Sequence, residues 1–331
     1  MGFETQDVER KVLAILKILR NLQEPAGARK ICQHLQEYGV TLGERAVRYH
    51  LHLMDERGLT QLIGKHDGRI ITNQGLNEIK NALVKDKVGF AIAKIEALSF
   101  RTDFDYEAKR GYIPVNISIF QEDDFNQALK AMKSSFNSGY CVSQLVAVAK
   151  GGERLGEIVI PNDKIGFATV CSIVINGSLL KAGVPIDSRF GGILQVNNHE
   201  PTRFTEIISY SGCSLDPSEI FIRAKMTSVR EAASTGNGEI LANFREVPAI
   251  CTPVLEHVLE GLKACGIGGV MVRGNPSEDI CEISVDPNKI GVILVGGLNP
   301  VAAAQEAGIL AENYSMSTVM DFKYLVKFSK L

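Results

Sequence analysis

No apolar run in this sequence approaches the ~20 residues of a membrane span, so no spanning helix is expected. The opening segment, Met1 to Arg10, is polar, mixed in charge and without a signal-peptide pattern. Paired cysteines are missing too. Cys32, Cys141, Cys171, Cys213, Cys251, Cys265 and Cys281 are odd in number, scattered and without a C-x-x-C. That excludes a disulfide framework and predicts reduced thiols in a cytoplasmic protein. An excess of one charge is also absent. The 36 Lys and Arg against 38 Asp and Glu leave a net of −2, unlike the strongly basic total of many nucleic-acid binders.

Enzyme signatures are equally scarce. Gly151-Gly152-Glu153-Arg154-Leu155-Gly156 lacks the G-x-G-x-x-G order, and Gly266-Ile267-Gly268-Gly269 runs from helix to strand, the reverse of a dinucleotide fingerprint. No Walker A sequence, H-E-x-x-H or G-x-S-x-G occurs. No catalytic residue is singled out. What is present is ample core material: 45% of the 331 residues are hydrophobic, enough for two or three domains.

The charge is unevenly spread. Residues 1–84 carry 12 Lys and Arg against 10 Asp and Glu, while the remainder carries 24 against 28. Val8, Val12, Ile15, Leu16, Leu19 and Leu22 predict a helix over 7–22. A second is expected over 28–38, with Gly39 as its C′ residue. A third runs over 44–57, capped by Thr41 in a Thr-x-x-Glu box or by Gly43, with Val47, Leu51 and Met54 inward. Leu59–Ile63 and Arg69–Ile71 flank an Asp67-Gly68 turn and read as a hairpin. A last helix over 73–84 buries Leu76, Ile79 and Leu83. Helix, helix, helix, hairpin, helix is the order of a winged helix-turn-helix. Arg45, Arg48, Tyr49 and His52 share one side of the third helix, and Lys65 and Arg69 belong to the hairpin tip. Such groups suit DNA phosphates and base edges. Winged helices also dock proteins or RNA, so that reading stays beside the DNA one. His50 and His52 point to different sides of a helix, and no ligand set completes a metal site.

Residues 85–110 form a connector, either a continuing helix from Asp86 to Leu98 or a plain linker. Beyond it, Pro161-Asn162-Asp163-Lys164-Ile165-Gly166 recurs one residue shorter as Pro287-Asn288-Lys289-Ile290-Gly291, and Ala182-Gly183-Val184 recurs as Ala307-Gly308-Ile309, with Lys164 to Lys289 and Ala182 to Ala307 both at an offset of 125. The first copy reads as strand 115–120, helix 123–137, strand 144–149, strand 165–175 and a helix from Asn176. The second reads as strand 240–244, helix 252–264, strands 269–272 and 290–295, and helix 300–307. Gly191–Tyr210 between them reads as a hairpin or bridging strands.

Two related halves predict a cleft between them, where pockets favour lying. Each copy ends a strand beside a helix start: Cys171-Ser172 with Asn176-Gly177, and Gly296-Gly297 with Asn299. Free N–H groups there suit a carboxylate, and Arg189 could grip one with both its terminal nitrogens. Asn-Gly and Asn-Pro serve equally as turns and caps, Arg189 as a solvated charge, and Cys171 as a small core filler.

With these residues in view, the chain resembles the NrpR family of archaeal nitrogen-regulatory repressors. Glu44-Arg45-Ala46-Val47-Arg48-Tyr49-His50-Leu51 looks like that family's recognition helix. The stretches 166–177, 184–192 and Gly296-Gly297-Leu298-Asn299-Pro300 look like its effector domain. The fold expected is α/β (α+β): a winged helix-turn-helix over 1–84, the connector over 85–110, and an α/β effector-binding domain over 111–331 with repeats at about 111–190 and 238–310. The resemblance implies a repressor of nitrogen-assimilation genes, bound to operator DNA, released by 2-oxoglutarate and needing no other cofactor. It leaves Cys171, Ser172, Asn176, Gly177, Arg189, Gly296, Gly297 and Asn299 as candidate effector contacts. A homodimer is expected, because winged helices commonly read two half-sites. The alternatives are a co-regulator docking on a second NrpR-type protein, and a small-acid enzyme whose winged helix mediates assembly.

Overall fold

The computed structural model describes residues 2–38, 40–64, 68–82 and 88–331, with side chains from Val8 onward. Gly39, Lys65, Asp67, Leu83 and Asp86, named above, lie outside the described residues. The head comprises α1 (Gly2–Leu22), α2 (Ala28–Leu35), a 3-10 turn (Gln36–Tyr38), α3 (Glu44–Glu56), β1 (Thr60–Gly64), β2 (Gly68–Ile71) and α4 (Asn73–Asn81). Its core takes in Val12, Ile15, Leu16, Leu19, Leu22, Ile31, Leu35, Val47, Leu51, Met54 and Ile79, which the periodicity selects, and adds Leu13, Ala14, Ile18, Ala26, Val40 and Leu59, while Val8 is only partly buried. Leu76 is only half-buried. The helix cap at α3 is Gly43, with no side-chain bond, so Thr41 does not form the capping box. α4 is capped by Thr72, whose hydroxyl accepts from the Gly75 N–H at 3.1 Å. Arg69 exchanges backbone hydrogen bonds with Ala26 at 2.9 and 3.0 Å, which ties the hairpin to the turn after α1.

The connector is a helix, α5 (Phe90–Arg101). It packs on the head's 3-10 turn on one side and on the body on the other. Phe90 meets Tyr38 edge-on at 5.3 Å and belongs to the head's core. Leu98, Ile95 and Ala91 join a small cluster with Cys171, Ile173, Tyr210 and Met316 of the body.

The body repeats one plan twice. The first half is β3 (Tyr112–Gln121), α6 (Glu122–Asn137), β4 (Leu145–Lys150), β7 (Lys164–Val170), α7 (Ile173–Lys181) and β8 (Asp187–Asn197). A two-residue ribbon, β5 (Arg154–Leu155) and β6 (Ile158–Val159), projects between β4 and β7. The second half is β10 (Gly238–Pro248), α10 (Thr252–Ala264), β11 (Val270–Arg273), β12 (Lys289–Val295), α11 (Asn299–Glu306) and β13 (Ala311–Asp321). β9 (Glu200–Ser209), α8 (Pro217–Arg223) and α9 (Val229–Thr235) lie between the halves. β7 stops at Val170 and α7 begins at Ile173, so the strand expected to reach Ile175 is shorter and the helix starts before Asn176.

The two sheets run β13-β3-β7-β4-β14 and β11-β12-β10-β8-β9, where β14 is Val326–Lys327. Every pairing is antiparallel, so the body is α+β. The halves exchange their last strands. β8 leaves the first half and pairs with β10, and β13 leaves the second and pairs with β3. α6 packs on α11 and α10 on α7, so each half's long helix covers the other's short one. A single apolar core joins both halves, because neither can bury its helices without the other.

Candidate functional site

α3 presents Arg45, Arg48, Tyr49 and His52 to solvent, with Tyr49 61% exposed. Arg48 donates to Glu44 at 2.6 Å, and His52 Nε2 lies 3.3 Å from Glu56. Both pairs are exposed, so phosphates could replace the carboxylates at small cost. Arg69 is different. Its Nε donates to Asp55 at 2.7 Å, both side chains are largely buried, and Asp55 also accepts from the Thr60 hydroxyl at 2.6 Å. Arg69 therefore braces the hairpin against α3 through Asp55.

The second region lies where the halves meet. Gly297 precedes α11 and Ser172 precedes α7, and both line one cavity of about 20 Å³. The two halves contribute reciprocally. The Ser172 hydroxyl bonds Asn243 at 3.0 Å, while Gly297 lies so close to Asn116 that a Cβ would sit 2.5 Å from its Nδ2. Asn116 and Asn243 hold matching places on β3 and β10. The volume suits about one water, so a larger ligand must open the wall.

Of the sequence candidates, the fold brings Cys171, Ser172 and Gly297 to this cavity. Asn176 stands one layer behind. Its Nδ2 donates to Ser188 at 2.9 Å and its Oδ1 accepts from Arg245 at 3.4 Å. Gly177 packs on Thr102, where a Cβ would sit 2.3 Å from that residue's own Cβ. Gly296 packs likewise on Leu241. Asn299, fully buried, accepts from the Leu241 N–H at 2.8 Å and donates to the Leu241 carbonyl at 2.9 Å, so both ends of its amide are satisfied. Arg189 faces away, because Ser188 is the inward residue of β8 there. It lies 3.1–3.3 Å from Asp187, Glu246 and Asp286, in a cluster completed by Lys289. These four residues, Gly177, Arg189, Gly296 and Asn299, are structural in this arrangement.

The arginine at the cavity is Arg245, only 1% exposed. Its guanidinium donates to Asn176 and to the Phe244 carbonyl at 3.2 Å and lies over the Tyr210 ring at 5.0 Å. No carboxylate among the described residues comes within ion-pair distance. A β8/β10 register shift between Phe244 and Arg245 accompanies its position. Sequence reading missed it because a mid-strand arginine usually faces water. The available signal was a polar pair, Asn243 and Arg245, inside the apolar run 240–247. Burial pushes the Cys171 thiol up to about 12, so it sits there as a neutral thiol and not as a nucleophile. Burial and the nearby Glu219 carboxylate push Asp216, also on the cavity wall, up to about 6.

A third cluster joins head to body. Arg101 of α5 donates to Glu37 and, at 3.1 Å, to Glu157 of the β5–β6 ribbon. His34 Nδ1 lies 3.0 Å from Glu37 and its Nε2 3.6 Å from Glu157. Arg154 pairs with Glu24, and Gln23 donates to the Tyr314 hydroxyl at 2.9 Å. The spacing of His34, Glu37 and Glu157 could hold a metal ion, but the Arg101 guanidinium already bridges the two carboxylates. An open groove of about 780 Å³ beside Tyr112, Val148 and Tyr324 borders this cluster and shares Arg101, Arg154 and Glu157 with it.

Residues 88–327 match the family described as NrpR regulatory domains NRD1 and 2, and the chain is 40% identical over 96% of its length to 97% of the global nitrogen regulator NrpRI of Methanosarcina mazei. The chain belongs to the NrpR family. Residues 13–79 also match the winged-helix domain of ribonuclease R, as the head's fold requires. The global nitrogen regulators NrpR of Methanococcus maripaludis and Methanocaldococcus jannaschii are 30% and 33% identical, and the chain spans 55% and 56% of their lengths. A solved nitrogen repressor-like protein of Methanococcus jannaschii superposes with a TM-score of 0.61 at 27% identity, covering 72% of this chain and 98% of that one. NrpR proteins are named as regulators and not as enzymes. Among the described residues, no helix is long and apolar enough to cross a membrane.

Proposed function

We propose that this NrpR-family chain represses nitrogen-assimilation genes by holding operator DNA on α3, and that 2-oxoglutarate in the cavity between the halves releases it. The observation that carries the effector half is Arg245. A buried guanidinium without an ion-pair partner is costly, and a carboxylate ligand repays that cost. The starts of α7 and α11 add N–H donors around the same space. Because the cavity is far smaller than a five-carbon dicarboxylate, binding has to rearrange its wall, and only a ligand that favours the rearranged state shifts the equilibrium. DNA half-sites lie about 34 Å apart, so a dimer whose heads rotate slightly loses register.

Calorimetric titration of the chain with 2-oxoglutarate, alone and with promoter DNA from a nitrogen-assimilation gene, tests both halves. Binding that is weaker in the presence of DNA is expected. Absence of any heat with the free chain removes the effector role, and absence of a gel shift at low salt removes direct DNA binding. A second reading has one observation behind it. Two relatives extend far beyond the span of this chain, which favours a chain that works with a second NrpR-type protein as partner. Weak DNA affinity alone, restored by such a partner, would mark that case.

A further inference from the structure

A second chamber of about 70 Å³ lies against the first, on the side of the head. The two share Asp216, Ser315 and Met316 as a common wall. Lys17 and Arg20 of α1, Lys94 of α5 and Glu219 of α8 also border the second chamber. Counting both chambers, the side-chain charges are four cations, Lys17, Arg20, Lys94 and Arg245, against two carboxylates, Asp216 and Glu219. Lys94 makes one polar contact, to the Ser315 carbonyl at 3.5 Å, and no carboxylate among the described residues lies within ion-pair distance of it. Burial pushes its ammonium pKa down, against the pull of Glu37 and Glu219.

The wall is a weak point in the sheet. β13 breaks register with β3 between Tyr314 and Thr318, and Met316 there has φ 48, a left-handed conformation that costs a residue with a Cβ. Its N–H is held by Asn116 at 2.9 Å, and Ser315 is held through N–H and hydroxyl by Glu219 at 2.9 and 2.7 Å. A ligand carboxylate could take over such donors, and the unbranched Met316 side chain can move aside.

We propose that the ligand site runs through this wall, with one carboxylate of a short dicarboxylate on Arg245 and the other on Lys94. The proposal rests on the effector reading above and adds the second anchor and the path through the wall. Neither chamber alone holds such a ligand, whereas the joined space has the Arg245 guanidinium at one end and the Lys94 ammonium at the other. Lys94 lies on α5, which begins in the head's core at Phe90 and crosses to the body. The second carboxylate is then read by the element that carries the head, whereas a monocarboxylate held on Arg245 has no group to offer Lys94.

The test is calorimetry on the full chain with 2-oxoglutarate and with 2-oxobutyrate, which keeps the keto-acid end and lacks the second carboxylate. The wild-type chain is expected to prefer 2-oxoglutarate by about tenfold or more, a gap of one charge-assisted contact. Lys94→Met should abolish that preference by weakening 2-oxoglutarate alone, and Lys94→Arg should restore it. Lys94→Gln gives the same readout should the methionine variant fail to fold. A Lys94→Met or Lys94→Gln chain that keeps the full preference overturns the proposal and leaves the effector role standing. A wild-type chain that binds both acids equally overturns it without any variant. A wild-type chain that binds neither overturns this proposal and the effector role together.

Discussion

At the scale of single residues, burial decides chemistry more than residue type does. Asn299 and Arg189 both suit a carboxylate by residue type. Asn299 is consumed by the backbone of Leu241, and Asn299→Ala is expected to cost about 1–3 kcal/mol of stability through the orphaned Leu241 N–H, since the Leu241 carbonyl still accepts from Gly296, read by urea unfolding. An unchanged midpoint would return Asn299 to the list of ligand contacts. Asp216 offers a prediction with a sign. Its folded pKa of about 6 stands above the ordinary carboxylate range, so the folded chain holds a proton that the unfolded chain releases. The stability this contributes is full below about pH 4 and is lost as pH rises through about 6. Asp216 caps α8 by accepting from the Ser218 N–H at 2.8 Å, a task asparagine performs as well. Asp216→Asn should therefore flatten this limb of the stability curve and tighten 2-oxoglutarate binding near neutral pH. Weaker binding by the variant would show that the carboxylate itself assists the ligand.

At the scale of elements, α3 and the hairpin divide the work expected of both. Arg48→Ala should weaken binding to promoter DNA several-fold and shrink the salt slope by about one, with no change in stability, because its pair with Glu44 is exposed. Arg69→Ala should do the opposite. Losing the pair with Asp55 is expected to cost about 1–2 kcal/mol in thermal or urea unfolding, with DNA affinity reduced only as far as the head unfolds. A variant that stays fully stable but loses DNA would put Arg69 back on the binding face. The apolar spacing made the head's helices legible, since a helix on a small core needs one buried stripe. The helix in the connector was an open alternative, because its apolar residues face two partners at once and leave no single stripe.

At the scale of the whole molecule, the head is held by α5 and by an ionic seam. Arg101, Glu37, His34 and Glu157 form one part of the seam, and Arg154 with Glu24 the other. Partly exposed ion pairs weaken as salt screens them. Raising salt should therefore increase the radius of gyration in small-angle scattering, and Glu157→Gln should bring that expansion to lower salt. A radius independent of salt in both chains would show that the apolar contacts of α5 suffice. The seam could not be read from the sequence, because Glu157 is far along the chain from His34 and Glu37. The strand exchange between the halves was equally hidden. Two short motifs at an offset of 125 reveal that a plan repeats, yet say nothing of which half receives each last strand.

The local signals of the chain settled what is local: the helices of the head, the hairpin between β1 and β2, and the repeated strand and helix starts that flank Ser172 and Gly297. Each follows from periodicity, turn chemistry or capping over a few residues, where neighbours in sequence are neighbours in space. The tertiary fold decided which of those residues meet. It turned Arg189 to the surface, spent Asn299 on a backbone, drew Arg69 inward and set Arg245 in a cavity without a carboxylate partner. It also placed Lys94, from the helix between head and body, against the other side of the same wall. Desolvation depends on everything packed around a group, and a sequence lists only what lies beside it in the chain.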